Sequence, residues 1–337
     1  MADNEYGSIL AGESQTVRDS WNRFRSHPVD WEWLAPEPAW PANETTLARP
    51  FQVTGPGTFF GEAQRTLHFE PSERRGWWFD RTTRPESMPI HVSADNVWTT
   101  VRNIVLCSGS PHNYMRMVEH IIALRTGLRL DNVLIRVDSG DPPLFDRSSM
   151  DMVEGVDAAG VAETATPASY CTVKEPVTVG GRNGSFLTFL PAEEGSRSLT
   201  IDCAIDFPSA IGKQRIRFNV TPETFRYGAQ ARTNTTMWMM LYSWSIGKIF
   251  ADTRNLGYTL RNILVAGPRR YVNKPRLHHN GKSLEAAWHR ATLDLLAVIA
   301  MINKGRFVGR ALSYKSGHEL DVRMIRELYE RDLLRPV

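Results

Sequence analysis

Thr46-Leu-Ala-Arg-Pro-Phe-Gln-Val-Thr54, closed by Gly55-Pro-Gly57, is the stretch that decides the class of fold. Polar and apolar residues alternate along it with the period of a half-buried strand, and the Gly-Pro-Gly run reads as a turn. The same alternation predicts strands over 64–69, 90–93 and 132–137, with a further turn at Asp138-Ser-Gly140. Over 113–126 the period changes: Met117, His120, Ile121 and Leu124 share one face of a helix. A second helix is expected over 148–157. Strands over 170–179, 185–190, 199–206 and 214–220 then repeat the pattern, followed by a long helix over 283–302 and a terminal one over 319–334. Strand-rich runs with a few helices per half predict an α+β fold of two similar domains, each a β-sheet with helices packed on one face.

The expected boundaries follow composition. Residues 1–45 form an arm in which Trp21, Trp31, Trp33 and Trp40 are scattered among Pro28, Pro36, Pro38 and Pro41. Proline excludes regular helix and exposed tryptophan is costly, so an irregular arm packed onto the body is expected. The first domain spans 46–160, the small and polar segment 161–169 is a linker, and the second domain spans 170–337.

Hydrophobic residues are 42% and charged residues 23% of the 337, which places the chain among globular proteins. With 40 basic against 37 acidic residues there is no basic stripe of the kind non-specific nucleic-acid binding needs, so no nucleic-acid partner is expected. Cys107, Cys171 and Cys203 lie far apart, which argues against a disulfide framework or a cysteine zinc site and suits a reducing compartment. No apolar run approaches the roughly 20 residues of a membrane span, and no secretory signal opens the chain. A cytoplasmic location is expected.

Of nine histidines, His27, His68 and His91 read as structural or solvated, and His112 as a turn residue. Three places are more informative. Glu119-His120 sits in the apolar run Val118-Glu-His-Ile-Ile, where an unpaired acid would be costly. His289 and Asp294 share the long helix, but five positions put them about 140° out of register on an ideal α-helix. Tyr314-Lys-Ser-Gly-His318 offers a cation at Lys315 and an acid or base at His318. Gly55-Pro-Gly57 and Gly180-Gly-Arg-Asn-Gly184 lack the ending of a phosphate loop and read as hairpin turns.

Taken in order, Val118-Glu-His120, Gly127-Leu-Arg-Leu-Asp-Asn132, Pro142-Pro-Leu-Phe-Asp146, Asp206-Phe-Pro-Ser-Ala-Ile211 with Gln214-Arg215, Ala231-Arg-Thr233 and Ala311-Leu-Ser-Tyr-Lys-Ser-Gly-His318 carry a resemblance. From about Thr46 to Leu334 the chain resembles the UDP-3-O-acyl-N-acetylglucosamine deacetylase family, the zinc amidases of lipid A biosynthesis. The resemblance implies an active site between the two halves and a zinc cofactor (Zn2+) held by His120, His289 and Asp294. It implies Glu119 as general base, Thr233 as the oxyanion-stabilising hydroxyl and His318 as the acid that protonates the leaving amine. Lys315, Arg232 and Lys174 fall on or beside positions linked to the sugar and phosphates of a UDP-acyl-aminosugar. Transient contact with a membrane surface and no obligate protein partner are expected.

The sequence also departs from the family's pattern. His289-Arg-Ala-Thr-Leu-Asp294 has one residue more than the family's His-x-x-x-Asp. Either a one-residue π-bulge restores the register, or Arg290 occupies the ligand position, where a guanidinium binds no metal. Val298 replaces an Asp, Gly57-Thr-Phe-Phe-Gly61 replaces a His-containing loop, and Asn234 and Thr235 replace aromatic residues. These changes admit a second reading, a non-catalytic homologue that binds a UDP-acyl-aminosugar or regulates a true deacetylase. The run Met237-Trp-Met-Met-Leu-Tyr-Ser-Trp244 suits either a passage for the acyl chain or ordinary helical core.

Overall fold

The computed structural model describes residues 5–59, 63–84, 86–237 and 258–337. Phe60, Gly61 and the Met237–Trp244 run beyond its first residue lie outside the described residues.

Alternation builds a five-stranded sheet in the order Phe51–Pro56, Gln64–Pro71, Val133–Val137, Trp77–Arg81, Ile90–His91. Leu67, Phe69, Trp77, Phe79, Val133 and Ile135 are buried from this sheet into one core. The expected strand over 46–54 is two strands, Asn43–Leu47 and Phe51–Pro56. They part around Pro50, whose missing N–H cannot continue a ladder. Pro176 divides the expected strand over 170–179 in the same way, into Tyr170–Val173 and Val177–Gly180.

The second sheet has seven strands, in the order Ser8–Ala11, Val177–Gly180, Phe186–Leu190, Gly309–Tyr314, Leu199–Phe207, Gly212–Asn219, Trp31–Trp33. Both edges therefore come from the N-terminal arm. The arm is not irregular: helix α1, Ser14–Ser26, ends two residues before Pro28, the first proline. Its Trp21 and Phe24 pack with Phe186, Leu312 and Tyr314. Arg215, bound to Asp202 at 2.8 Å, donates to the carbonyls of Phe24 and His27 and fastens the end of α1 to the sheet.

Five further helices complete the described architecture. Helix α2 is Glu119–Gly127, later in onset than the sequence suggests because Tyr114–Met115 is a strand and Met117 takes a positive φ of 45°. Helix α3 is Met150–Ala159, and α4, Pro222–Gly228, opens with a capping box on Thr221. Helix α5 spans 285–299, and α6 is His318–Glu330. α2, α5 and α6 bury their apolar faces in one cluster with Leu187, Phe189, Ile201 and Phe218 of the second sheet. The segment expected as a linker carries the strand Val161–Pro167, whose Val161, Ala162 and Glu163 pair antiparallel with Leu47, Thr46 and Thr45. Small size did not prevent pairing there, because an outer strand needs little side-chain packing. No described helix is long and apolar enough to cross a membrane.

Candidate active site

Glu119 and His120 open α2, so the carboxylate lies at the positive end of the helix dipole. One carboxylate oxygen, Oε1, accepts from the backbone N–H of Ile104, and the other is buried without a hydrogen-bond partner. Burial raises the Glu119 pKa, with the nearby His318 opposing the shift. That moves a carboxylate toward the range where it exchanges protons near neutrality.

Helix α5 supplies the facing side. It begins as α-helix at Glu285–His289, widens into a π-helical turn over Arg290–Leu295 and returns to α-helix at Leu296–Ile299. The extra residue between His289 and Asp294 is absorbed in that wide turn, where the fifth residue returns to the face of the first. Room for it comes from α4: a side chain at Gly228 would meet Thr292 Oγ1 at 2.1 Å.

The consequence is convergence. His289 Nε2 lies 3.1 Å from His120 Nε2, and Thr233 Oγ1 lies 3.0 and 3.2 Å from the same two nitrogens. Asp294 Oδ2 is 3.6 Å from His289 Nδ1. Burial depresses the basicity of both imidazoles, pushing His120 down to about 3 with His289 adding to the effect. Burial opposes ionisation of Asp294, but His289, His318 and Arg290 outweigh it and lower its pKa. Two unprotonated imidazoles and an ionised carboxylate are thus gathered here. Among the described residues they do not form a ready three-ligand cluster, since Asp294 lies on the Nδ1 side of His289.

Arg290 commits its hydrogen bonds away from the imidazoles, although its Nη1 stays 3.8 Å from Asp294 Oδ2. Its Nη2 donates to Asp321 Oδ2 at 2.5 Å and to Ser316 Oγ at 2.6 Å, both buried. His318, first residue of α6, stands between the two acids, with Nε2 3.4 Å from Glu119 Oε1 and 4.0 Å from Asp294 Oδ1. A carboxylate therefore still faces this imidazole although Val298 is buried core.

Two of the expected substrate contacts are committed elsewhere. Arg232 is buried and held by both oxygens of Glu285, at 2.7 and 3.1 Å, with Nη2 also donating to the Lys274 carbonyl. A guanidinium neutralised in that way braces the strand carrying Thr233. Lys174 is exposed and bound to Asp332 at 2.8 Å. Lys315 has no ion-pair partner among the described residues, and its φ of 52° marks a strained loop. Sequence reasoning overlooked Ser148, whose Oγ lies 3.5 Å from His120 Nδ1 and donates to the Ala231 carbonyl, and the Arg290–Asp321 pair. Asp321 carried a readable signal, being one helical turn beyond His318. Ser148 carried none.

A buried acid with a free oxygen, three imidazoles and a hydroxyl within a few ångströms make the kind of proton-handling centre found in hydrolytic enzymes. The family model for UDP-3-O-acyl N-acetylglycosamine deacetylase (LpxC) matches residues 44–330, and the chain belongs to this family. It is similar to the UDP-3-O-acyl-N-acetylglucosamine deacetylase of Bdellovibrio bacteriovorus, 28% identical over 85% of this chain and 90% of that protein. The enzyme of the same name from Nostoc sp. is 28% identical over 84% of this chain and 97% of its own, and that of Psychrobacter sp. 29% over 85% and 92%. The family match begins at residue 44 and so leaves out nearly all of the N-terminal arm.

Proposed function

We propose that the chain is a zinc-dependent deacetylase that hydrolyses the N-acetyl amide of a UDP-3-O-acyl-N-acetylglucosamine-like substrate in lipid A synthesis. The observation that carries this reading is the wide turn of α5, which brings His289 to His120 while Arg290 gives its hydrogen bonds to Asp321 and Ser316. The donor chemistry fits zinc: imidazole nitrogens kept unprotonated by burial and an ionised carboxylate are the ligands that ion takes. His120, His289 and Asp294 would hold it. Bound there, zinc supplies Lewis acidity that polarises a carbonyl and acidifies water.

The protein's own groups then account for the protons. Glu119, with one oxygen unpartnered, accepts a proton from the attacking water. The Thr233 hydroxyl donates to the carbonyl oxygen as it gains negative charge. His318 delivers a proton to the departing amine nitrogen, so that amide and water become acetate and free amine. Glu119 and His318, 3.4 Å apart, can pass the proton between them and reset the site. This reading carries with it a cytoplasmic site of action, with the acylated substrate met at the membrane surface.

The test is zinc content and turnover of the full chain. The expected outcome is about one zinc per chain and chelator-sensitive release of acetate. Glu119→Gln lowers the rate by about 10²–10⁴-fold with zinc content unchanged. A chain that binds the UDP-sugar but neither zinc nor hydrolyses it is the non-catalytic homologue instead.

A further inference from the structure

The seven-stranded sheet carries a second concavity, a groove of about 450 Å³ beside the end of α1. That volume lies within the range of small-molecule sites. Arg23 reaches it from the arm, Lys213 and Asp206 from the second sheet, and Lys315 from the loop leading to His318. Lys282 also lines it but is neutralised by Asp30 at 2.7 Å. Arg23, Lys213 and Lys315 have no carboxylate within ion-pair distance among the described residues, whereas Arg25, on the same helix, pairs with Glu5.

Three unpaired cations around one groove repel each other, and an oxyanion between them removes that cost. The backbones that carry Arg23 and Lys315 are held in place. Arg215 clamps the carbonyls at the end of α1, Trp21 and Phe24 bury its inner face, and the Lys315 N–H donates to the Ala204 carbonyl at 3.0 Å. With the backbone fixed, only side-chain freedom is left to be lost on binding. Lys315 stands three residues before His318, so an anion in this groove belongs to a ligand that can extend to the catalytic centre.

We propose that the N-terminal arm completes the substrate site: Arg23 joins Lys213 and Lys315 in holding the diphosphate of the nucleotide-sugar substrate. The identity of that ligand rests on the deacetylase reading above; the role of the arm rests on the groove itself. Arg23 lies outside the family-matched region, so it adds to the site a contact supplied from residues that the family match leaves out.

The experiment measures binding of UDP and of uridine to the full chain by calorimetry, in wild type, Arg23→Ala, Arg23→Lys and Arg18→Ala. Loss of one charge-assisted contact is expected to weaken UDP by about 10–100-fold in Arg23→Ala. Uridine affinity stays unchanged, Arg23→Lys recovers part of the loss, and Arg18→Ala behaves as wild type. In turnover, Arg23→Ala raises KM and leaves kcat. Equal UDP affinity in wild type and Arg23→Ala would overturn the role of the arm while leaving the deacetylase reading intact. Parallel losses for UDP and uridine would overturn it as well, showing a disturbed fold instead of a lost phosphate contact. A wild-type chain that cleaves acyl-aminosugars yet binds no UDP would overturn both the groove assignment and the nucleotide part of that reading.

Discussion

Helices α2 and α5 meet at the same centre but reach it by different backbones. In α2 the functional residues are neighbours, Glu119 and His120, at the first turn of a regular helix. Their directions differ by the ordinary α-helical step, which sends the acid toward His318 and the imidazole toward His289. In α5 the functional residues are five apart, and an ordinary helix would separate them by about 140°. The wide turn over Arg290–Leu295 closes that gap. The same site thus contains one helix with no spare residue and one with a residue to spare. A fixed spacing rule reads the first correctly and misreads the second.

Deleting one buried alanine from each helix tests this directly. Ala123 in α2 and Ala291 in α5 are both fully buried. Removing Ala123 rotates Glu119 and His120 by about 100° relative to the rest of α2, tearing a packed face. The expected cost exceeds about 4 kcal/mol, with zinc binding lost. Removing Ala291 leaves His289-Arg-Thr-Leu-Asp, which an ordinary helix brings into register. The expected cost is about 1–2 kcal/mol, with zinc retained. Urea unfolding and metal analysis of the two variants decide the matter, and equal damage would mean that the wide turn does not act as a one-residue insertion.

A smaller effect distinguishes what holds the wide turn open. Arg290 and Asp321 Oδ2 are a buried pair, Asp321 Oδ1 has no hydrogen-bond partner, and Arg290 Nη1 also lies 3.8 Å from Asp294 Oδ2. Arg290→Met strands the acid and is expected to cost about 3–5 kcal/mol, most of it recovered when Asp321→Leu is added. If the Thr292–Gly228 contact sets the turn, the double variant keeps wild-type zinc affinity. Loss of zinc from the stable double variant would assign the placement of Asp294 to Arg290 and its two ion pairs.

The readable parts of the molecule were those fixed by local periodicity. Strands at 64–71, 133–137 and 199–207 follow from alternation, and Glu119-His120 stands out as an acid and imidazole in an apolar run. Helix α1 is masked by the composition of the arm as a whole, although every proline in it follows Ser26. Arg232 and Lys174 look available in the sequence because their partners, Glu285 and Asp332, are distant along the chain. Charge availability is a tertiary property. The α5 register was open to two readings until Gly228 and Thr292 could be seen in contact.

The smallest effect concerns why the centre's imidazoles are unprotonated. His120 and His91 are both depressed by burial, to about 3 and about 4, but only His120 has a second imidazole against it. His91 stacks on Trp78 at 4.2 Å, with Arg125 and Arg74 adding to burial and Asp95 opposing. In the unfolded chain its pKa returns to about 6.5, so between pH 6.5 and 4 the unfolded state binds more protons. Stability contributed by neutral His91 is therefore full above about pH 6.5 and is lost as the pH falls toward 4. Since the ring is partly exposed, the effect is modest. From pH 7.5 to pH 5 the metal-free wild type should lose about 1–3 °C more in Tm than His91→Phe does. An unchanged difference would mean that burial alone does not neutralise imidazoles in this protein. The depression at His120 would then have to come from His289, making the pairing of the two helices, and not the depth of the site, the reason its nitrogens are free to bind a metal.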